Sequence, residues 1–377
     1  MVSLPTKRLY FLDNLKWVII GLMTVFHAAM CYMAYAPDWW YVVDKSQPVF
    51  SGTVFILWVD IFIMPVMFFI SGYFGLMSLS KHGAGTFWRK KFSRIAVPWI
   101  FGAMVFAPLV TYIILASRHA PTDFWTFYTT LFWGPLYEQA QYWYLGALLA
   151  LYVLLTIAVA LAPSLWTRSM LPKRPSVLLY AALLVLSTAS IYGAGSVMHP
   201  DAWKFYYYIL VLQPVRIVTY ILVFFLGAWA WRSRWFERGG YVPSAWFWGL
   251  VTLVISPAYL WQKLILPTTG ADAATLTLAN ALTQGPFMWS ATLFLLAFFA
   301  HHLDYTTPLL SSLSQTSYPV YYLHMEVLFP VAWAFTTLPW LNVYIKYLLV
   351  CAITLIICYL LGKHVLLRIS CFGGRRN

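Results

Sequence analysis

The sequence contains few charged residues and few cysteines. Only 9% of its 377 residues are Asp, Glu, Lys or Arg, whereas 62% are hydrophobic. Soluble globular proteins carry roughly a quarter charged residues, so this shortage excludes a soluble enzyme and a disordered protein. The four cysteines, Cys31, Cys351, Cys358 and Cys371, are far apart or lie in apolar runs. We therefore expect them to be packing residues, without a disulfide framework or a metal site.

Long hydrophobic runs are abundant instead. A bilayer core requires about 20 apolar residues per helix. Ten stretches qualify: 16–36, 52–78, 95–116, 142–162, 177–196, 207–231, 245–262, 286–304, 316–336 and 341–363. The sequence thus predicts an all-α, polytopic transmembrane helical bundle of about ten spans, forming one membrane domain over 1–377 with a short basic tail at 364–377. The first span follows basic residues and lacks a clear cleavage site, so we predict an uncleaved signal anchor.

The positive charge is distributed asymmetrically around the predicted spans. The formal net charge is +13, and 18 of the 24 Lys and Arg residues fall on one side of the ten-span arrangement, against 5 on the other. Cytoplasmic loops collect basic residues, so we predict that both termini are cytoplasmic, in a bacterial plasma (inner) membrane. The aromatic stretch Phe124–Trp133 is then an interfacial or re-entrant helix. Membrane lipids are the expected surroundings, and nucleic acid is not an expected partner.

Four polar side chains are predicted to share one layer inside the membrane. With a rise of ~1.5 Å per residue, His27 lies ~18 Å from the cytoplasmic face, and Ser71, His324 and Glu326 lie at ~12–15 Å. Ionisable groups at this depth are usually functional. His27 is a candidate general base or acyl carrier, and His324 or Glu326 would orient it or share its proton. The alternative is that helix neighbours satisfy each side chain and the group only packs the bundle.

A basic run precedes the third predicted span. Lys91 and Arg94 are three residues apart, so on a helix they share a face and would bind the phosphates of a cytoplasmic donor. The alternative is a topology signal that contacts anionic lipid headgroups. Within the sixth span, Arg216 requires a partner, and Asp60, Glu138 or an anionic acceptor are the candidates.

Three sequence motifs resemble one membrane family. The first motif of that family is a basic residue, ten further residues and a histidine. Lys16, at the end of the segment Phe11–Lys16, and His27 have this spacing, with Lys16 where the family more often has Arg. The segment Phe69–Phe74 is similar to an F-x-S-G-Y/F-x motif, and Lys91–Arg94 with Pro98 resembles a basic pair before a proline. These motifs are typical of the acyltransferase type 3 family of integral membrane acyltransferases, and within it of the glucan biosynthesis protein C group.

Three weaker matches follow in the family's order. Gln141–Leu145 resembles a segment that often begins with His, Phe225–Ala228 resembles a phenylalanine-glycine turn, and Ser317–His324 resembles a Ser-x3-Tyr-x2-His motif. The matches extend from about residue 8 to about residue 325, and ten spans is the usual number in the family.

The resemblance implies transfer of an acyl group, acetyl or succinyl, from cytoplasmic acyl-CoA to a hydroxyl of a carbohydrate or cell-envelope glycan. By the same resemblance, His27 and Lys16 would be catalytic or contact the donor. His324 and Glu326 are further catalytic candidates because of their predicted depth in the membrane. Acyl-CoA would be the donor substrate without a metal. Four residues would form its binding site: Lys91 and Arg94 at the phosphates, and Ser71 and Tyr73 shaping the cavity.

Two other classes of function remain open at this point. A secondary transporter of a glycan or lipid would use His27, Asp60, Arg216 and Glu326 as a proton relay, although no internal repeat supports one. A receptor or regulatory membrane protein would have the fold without the chemistry. Binding or hydrolysis of acyl-CoA would discriminate between an enzyme and these alternatives.

Overall fold

The chain is built almost entirely from helices, as predicted. The computed structural model describes residues 8–34, 41–119 and 122–373. Its α-helices are α1 (Tyr10–Met30), α2 (Phe50–Lys91), α3 (Val97–Phe101), α4 (Ala107–Ala116), α5 (Phe124–Thr126), α6 (Trp143–Leu161), α7 (Pro163–Trp166), α8 (Val177–Gly195), α9 (Pro214–Arg232), α10 (Ala245–Leu264), α11 (Ala273–His302), α12 (Pro308–Thr336) and α13 (Val343–His364). Two short strands, β1 (Lys204–Tyr206) and β2 (Leu210–Leu212), form an antiparallel hairpin.

Seven helical stretches of the described chain are long and apolar enough to cross a membrane. One of them, Phe50–Ala116, is 67 residues long and contains the second and third predicted spans. Helices α10 and α12 overlap two more predicted spans but are not among these seven. The protein is therefore an integral membrane protein of helical type, whereas the number of ten spans and the side of the termini stay predictions.

The predicted sixth span, 207–231, is wrong at its beginning. Residues 204–212 form the β-hairpin, and helix α9 begins only at Pro214. Proline is favoured in the first turn of a helix and biases the residue before it towards extended backbone, as Gln213 shows with φ −94° and ψ 107°. The first span is also shifted, because α1 occupies Tyr10–Met30 rather than 16–36; residues 35–36 lie outside the described part of the chain.

The stretch after α2 alternates between π-helix and α-helix. π-helical turns at Phe92–Ala96 and Gly102–Phe106 flank α3, and such turns often occur at functional sites. Gly102 also allows close packing, because a Cβ atom there would lie 2.5 Å from the ring of Tyr142. This contact positions Tyr142, which takes part in the central site. A third π-helix, Phe127–Phe132, follows α5. The stretch Phe124–Trp133 is therefore largely helical, and its interfacial or re-entrant position stays a prediction.

The closest helix crossing joins α2 and α9. A Cβ atom on Gly72 of α2 would overlap the carbonyl oxygen of Phe224, and one on Gly227 of α9 would overlap the carbonyl oxygen of Phe69. Only glycine permits backbones to approach this closely, and small residues at such contacts are typical of membrane helices. The two helices run in the same direction. A residue of α2 and a residue of α9 that lie the same number of turns before the crossing are therefore also close to each other.

Two ends of the bundle differ in charge. One end, here called the basic end, carries Arg8, Lys81, Lys91, Arg94 and Arg168. The opposite end carries the segment 41–49, the hairpin and the start of α13. The cysteines agree with a packing role, because Cys31, Cys351 and Cys358 are buried and all four thiols are free.

A buried ion pair fastens segment 41–49 to α13 at the opposite end. Lys346 Nζ lies 2.6 Å from Asp44 Oδ2, and the two side chains are 0% and 3% exposed. Burial would raise the pKa of the Asp44 carboxyl, but hydrogen bonds from Lys346 and Ser46 outweigh this effect and hold the pKa below its usual range. The carboxylate is therefore the stable form in the folded protein.

We expect Gly227→Ala to lower the free energy of unfolding by about 3 kcal/mol, because the added methyl group would push α9 away from α2. Thermal unfolding of purified protein in detergent measures the change. Gly193→Ala in α8, where nothing lies within 4 Å of the added atom, is the matched control and should be neutral. Equal stability of the two variants would contradict the close crossing.

We expect Asp44→Asn to lower the free energy of unfolding by about 3–5 kcal/mol at pH 7, because Lys346 would be left buried without its carboxylate. The double variant Asp44→Asn with Lys346→Met should lower the free energy of unfolding by less than Asp44→Asn alone, because no unpaired charge is left buried. The pKa of the Asp44 carboxyl is lower in the folded protein than in the unfolded protein, where it is about 3.9. Its ionised form therefore stabilises the fold at pH values above about 3.9, and this stabilisation is lost as the pH falls through the pKa of the folded state. Unfolding curves should therefore show the difference between wild type and Asp44→Asn shrinking below about pH 4, and a difference independent of pH would argue against the pair.

Candidate active site

A cavity of about 320 Å³ lies between α1, α2, α6, α9 and α12. His27 is on its wall, together with acidic, amide, aromatic and methionine side chains. The lining residues are Met23, Phe26, His27, Met30, Met33, Tyr41, Ile56, Leu57, Asp60, Ile63, Met64, Ala140, Gln141, Trp143, Tyr144, Asp201, Trp203, Gln213, Arg216, Tyr220, Tyr321 and Met325. Such a mixture of apolar walls and a few polar groups is typical of a substrate site.

Two histidines meet beside this cavity. The ring centroids of His27 and His324 are 5.1 Å apart. His324 Nδ1 lies 2.7 Å from the carbonyl oxygen of Tyr321, and since a carbonyl oxygen only accepts, Nδ1 carries the proton. Nε2 of neutral His324 therefore has a free lone pair. Among the described residues, neither His324 Nε2 nor His27 Nδ1 has a hydrogen-bond partner, although both atoms are buried.

Glu326 belongs to a neighbouring network on the same helix. Gln141 Nε2 donates to both carboxylate oxygens at 2.9 Å, and the Tyr142 hydroxyl donates at 2.7 Å. Gln141 Nε2 also donates to the main-chain carbonyl oxygen of Tyr322, and the main-chain carbonyl oxygen of Gln141 accepts from the Tyr321 hydroxyl. Within the described chain, no hydrogen bond joins Glu326 to His27. The predicted layer thus divides into a histidine pair and a carboxylate network.

Ser71 and Tyr73 face different parts of the molecule. Ser71 Oγ is 2.7 Å from the hydroxyl of Tyr144, which lines the cavity. Tyr73 instead lines a second cavity of about 340 Å³ at the basic end. Its cations are Lys81, Arg8, which pairs with Asp13, and Arg168, which pairs with Glu237. Ser71 therefore connects to the His27 cavity through Tyr144, and Tyr73 connects to the basic end.

The predicted donor-binding cations lie where α2 passes into the first π-helix. Lys91 Nζ lies 4.1 Å from the centroid of the Tyr152 ring, and the Tyr152 hydroxyl donates to the carbonyl oxygen of Ser71. Arg94 is exposed, while its carbonyl oxygen accepts from Tyr318. In the described part of the chain, no ion pair involves either cation. Both charges are therefore available to an anionic ligand.

Lys16 is on the same helix as His27. His27 follows Lys16 by eleven positions, which is about three turns, so both side chains occupy the same face of α1, with Lys16 about 16 Å nearer the basic end. Lys16 is half-buried. This face of α1 therefore leads from the basic end to the cavity.

Arg216 pairs with Asp60, one of the three partners that the sequence suggested. Arg216 Nη1 is 2.5 Å from Asp60 Oδ2, and Nη2 is 3.5 Å from Asp201 Oδ1. Lys263 Nζ lies 3.4 Å from the other oxygen of Asp201. Glu138, the other carboxylate considered, accepts from Thr111 instead.

Sequence reasoning missed several cavity residues. Asp201, Trp203 and Gln213 come from the segment between α8 and α9, part of which was assigned to a span. Trp143 also lines the cavity, and its ring lies 5.1 Å from that of Trp203. No local pattern identifies these residues, because they reach the cavity only after the hairpin has folded back.

Comparisons with known proteins agree with the motifs. A family model described as an acyltransferase domain matches residues 9–363. Glucans biosynthesis protein C of Salmonella paratyphi B and that of Salmonella heidelberg are each 28% identical over 167 residues. That alignment covers 43% of this chain and 41% of each relative, so less than half of either protein is compared. No solved structure gave a significant match.

The match to the family model runs from the start of α1 to the end of α13, and so includes both histidines, the basic pair and the α2–α9 crossing. It confirms the family predicted from the sequence and supports the predicted enzyme class. The chain belongs to the acyltransferase type 3 family.

Proposed function

We propose that the protein is a membrane-bound O-acyltransferase that moves an acyl group from acyl-CoA to a hydroxyl of a carbohydrate or cell-envelope glycan. The observation that carries the proposal is the His27–His324 pair beside a cavity, in a chain of an acyltransferase family. Both imidazoles have an unused nitrogen there, so proton transfer is the chemistry they support best.

The reaction needs a base for the acceptor and an acid for the leaving group. In the simplest mechanism, His27 takes the proton of the acceptor hydroxyl while its oxygen attacks the thioester carbonyl carbon. The carbon–sulfur bond then breaks, and the proton passes from His27 to the CoA sulfur. His324, fixed by its hydrogen bond to the Tyr321 carbonyl, packs against the His27 ring and limits its movement. Alternatively, a nitrogen of neutral His27 attacks the thioester carbon, the carbon–sulfur bond breaks, and CoA leaves with the imidazole proton. The acceptor hydroxyl then attacks the acyl-imidazole, the carbon–nitrogen bond breaks, and the hydroxyl proton passes to His27.

Acyl-CoA is the donor that fits the basic end. Lys91 and Arg94 are cations without carboxylate partners among the described residues, and charge-assisted bonds to phosphate are strong. Lys16 and Tyr73 lie between these cations and the level of His27. The acyl arm would pass along this face of α1 and place the thioester at the cavity, while the nucleotide stays at the basic end, which we assign to the cytoplasm.

The acceptor would enter from the opposite end. Trp143 and Trp203 offer aromatic surfaces there, and Gln213 offers an amide. Aromatic faces with a few convergent polar groups suit a sugar ring, which has apolar faces and a polar rim. The relatives' name, glucans biosynthesis protein C, supports a carbohydrate acceptor for this chain.

The arrangement does not favour the transporter alternative. Its proposed relay would need His27, Asp60, Arg216 and Glu326 to exchange protons. Asp60 is bound to Arg216, and Glu326 is bound to Gln141 and Tyr142. In the described structure these are two separate networks, and neither contains a hydrogen bond to His27.

We expect His27→Ala to lower the rate of acyl transfer by about 10²–10⁴-fold, because it removes the base. Radiolabelled acetyl-CoA and succinyl-CoA, with glycan and lipid fractions as acceptors, measure transfer in membranes containing each variant. His82→Ala, which changes an exposed histidine on α2, is the control and should transfer like wild type. Full transfer by His27→Ala would refute the assignment.

Initial rates at varied donor and acceptor concentrations separate the two versions of the mechanism. An acyl-imidazole on His27 predicts ping-pong kinetics and an acylated protein that accumulates without acceptor. Direct attack predicts a ternary-complex pattern without acylated protein. A ternary-complex pattern would rule out the carrier version.

We expect Lys91→Met and Arg94→Met each to raise the KM for acyl-CoA about tenfold while changing kcat little, because each removes one charge-assisted contact to the donor. Arg174→Met is the matched control, since Arg174 is an exposed cation in the loop before α8. A KM unchanged by either variant would assign the basic pair to topology or lipid headgroups instead.

A further inference from the structure

The charges around the His27 cavity are already matched. Arg216 is the only lysine or arginine lining the cavity among the described residues, and residues 35–40, outside the described part of the chain, contain no lysine or arginine. The Arg216 side chain is 4% exposed and contacts both Asp60 and Asp201. Lys263 contacts the remaining oxygen of Asp201. Two cations therefore face two carboxylates, and no cation is left over for a ligand.

The wall around His27 is apolar and rich in methionine. Met23 and Met30 lie one turn before and one turn after His27 on α1, and Met325 adjoins His324 on α12. Met64 of α2 completes this part of the wall. Methionine side chains are flexible and polarisable, so they fit apolar groups of different lengths. A short alkyl chain attached to the thioester would be surrounded by these thioethers.

A carboxylate on the acyl group would find no unpaired cation among the described lining residues, only neutral donors such as the Gln213 amide. Beside His27 it would lie against methionine, which costs free energy because a buried charge needs a compensating charge or hydrogen bonds. Otherwise it would have to displace Asp60 or Asp201 from Arg216, leaving that aspartate uncompensated near the cavity. Both routes penalise a dicarboxylic acyl group and leave an uncharged one unaffected.

We propose that the methionine-lined part of the cavity is the acyl subsite, and that the matched ion pairs of Asp60, Arg216 and Asp201 restrict it to uncharged acyl groups. The donor is then acetyl-CoA or a short-chain homologue, and succinyl-CoA is discriminated against. This inference rests on the proposed function and narrows its donor.

The test compares acetyl-CoA, butyryl-CoA and succinyl-CoA with the purified full chain in lipid nanodiscs. The glycan and lipid fraction of the envelope serves as acceptor, and CoA release is quantified by chromatography. We expect kcat/KM for acetyl-CoA and butyryl-CoA to exceed that for succinyl-CoA by at least about tenfold, because selectivity is a difference between binding free energies. Equal or better use of succinyl-CoA would overturn the acyl subsite and leave the acyltransferase intact. Turnover of none of the three thioesters would overturn the proposed function and this inference together.

A charge variant tests the cause of the selectivity. Asp60→Asn removes one carboxylate from Arg216, so we expect the ratio of succinyl-CoA to acetyl-CoA turnover to rise about tenfold, as the arginine becomes able to bind the ligand's carboxylate. Asp272→Asn, at the exposed N-terminus of α11, is the control and should not change the ratio. Asp201→Asn provides a second variant if Asp60→Asn does not fold. An unchanged ratio in the variants that fold would overturn the role of the ion pairs.

A size variant tests the wall independently of charge. Met64→Phe adds volume to the cavity wall, so we expect the ratio of butyryl-CoA to acetyl-CoA turnover to fall several-fold. Met104→Phe, at an exposed position of the second π-helix, should leave the ratio unchanged. If Met64→Phe left the ratio of butyryl-CoA to acetyl-CoA turnover unchanged, the acyl chain would not lie against this wall, and the acyl subsite would be wrong.

Discussion

The backbone contact between α2 and α9 at Gly72 and Gly227 determines most of the central geometry. The helices run in the same direction, and Asp60 and Arg216 lie 12 and 11 residues before the two glycines. Because these distances along the helices are nearly equal, the close crossing brings the carboxylate and the guanidinium to the same level, where they form an ion pair at 2.5 Å. In the apolar surroundings of a membrane bundle, such a pair is tolerated only when the partners meet.

The positive charge of the protein is organised differently at its two ends. At the basic end, Lys91 and Arg94 have no ion-pair partner among the described residues and are open to an anionic ligand. At the cavity and the opposite end, Arg216 and Lys346 are buried and each contacts a carboxylate. This contrast agrees with a nucleotide-bearing donor that binds at one end and with uncharged reacting groups in the cavity.

Tyrosines connect these regions to the rest of the bundle. Tyr144 joins Ser71 to the cavity, Tyr142 holds Glu326, and Tyr318 bonds the backbone of Arg94. Their rings contribute apolar packing while their hydroxyls satisfy buried acceptors, which water cannot do inside a bilayer. Gln141 donates to both carboxylate oxygens of Glu326. An uncharged amide therefore satisfies this buried group.

The sequence by itself determined the helical membrane class, the family, the glycine of the Phe69–Phe74 motif and the candidate histidines. These follow from hydrophobic run length and from residues at fixed spacing on one helix, such as Lys16 and His27. It misplaced the start of α9, because the apolar run 207–213 satisfies a hydropathy window although Pro214 begins the helix. The pairing of His27 with His324, the separate network of Glu326, and the convergence of Asp201 and Trp203 on the cavity were decided only by tertiary structure. These residues are far apart along the chain, and their contacts depend on helix rotation and close crossing, which hydrophobic periodicity does not encode.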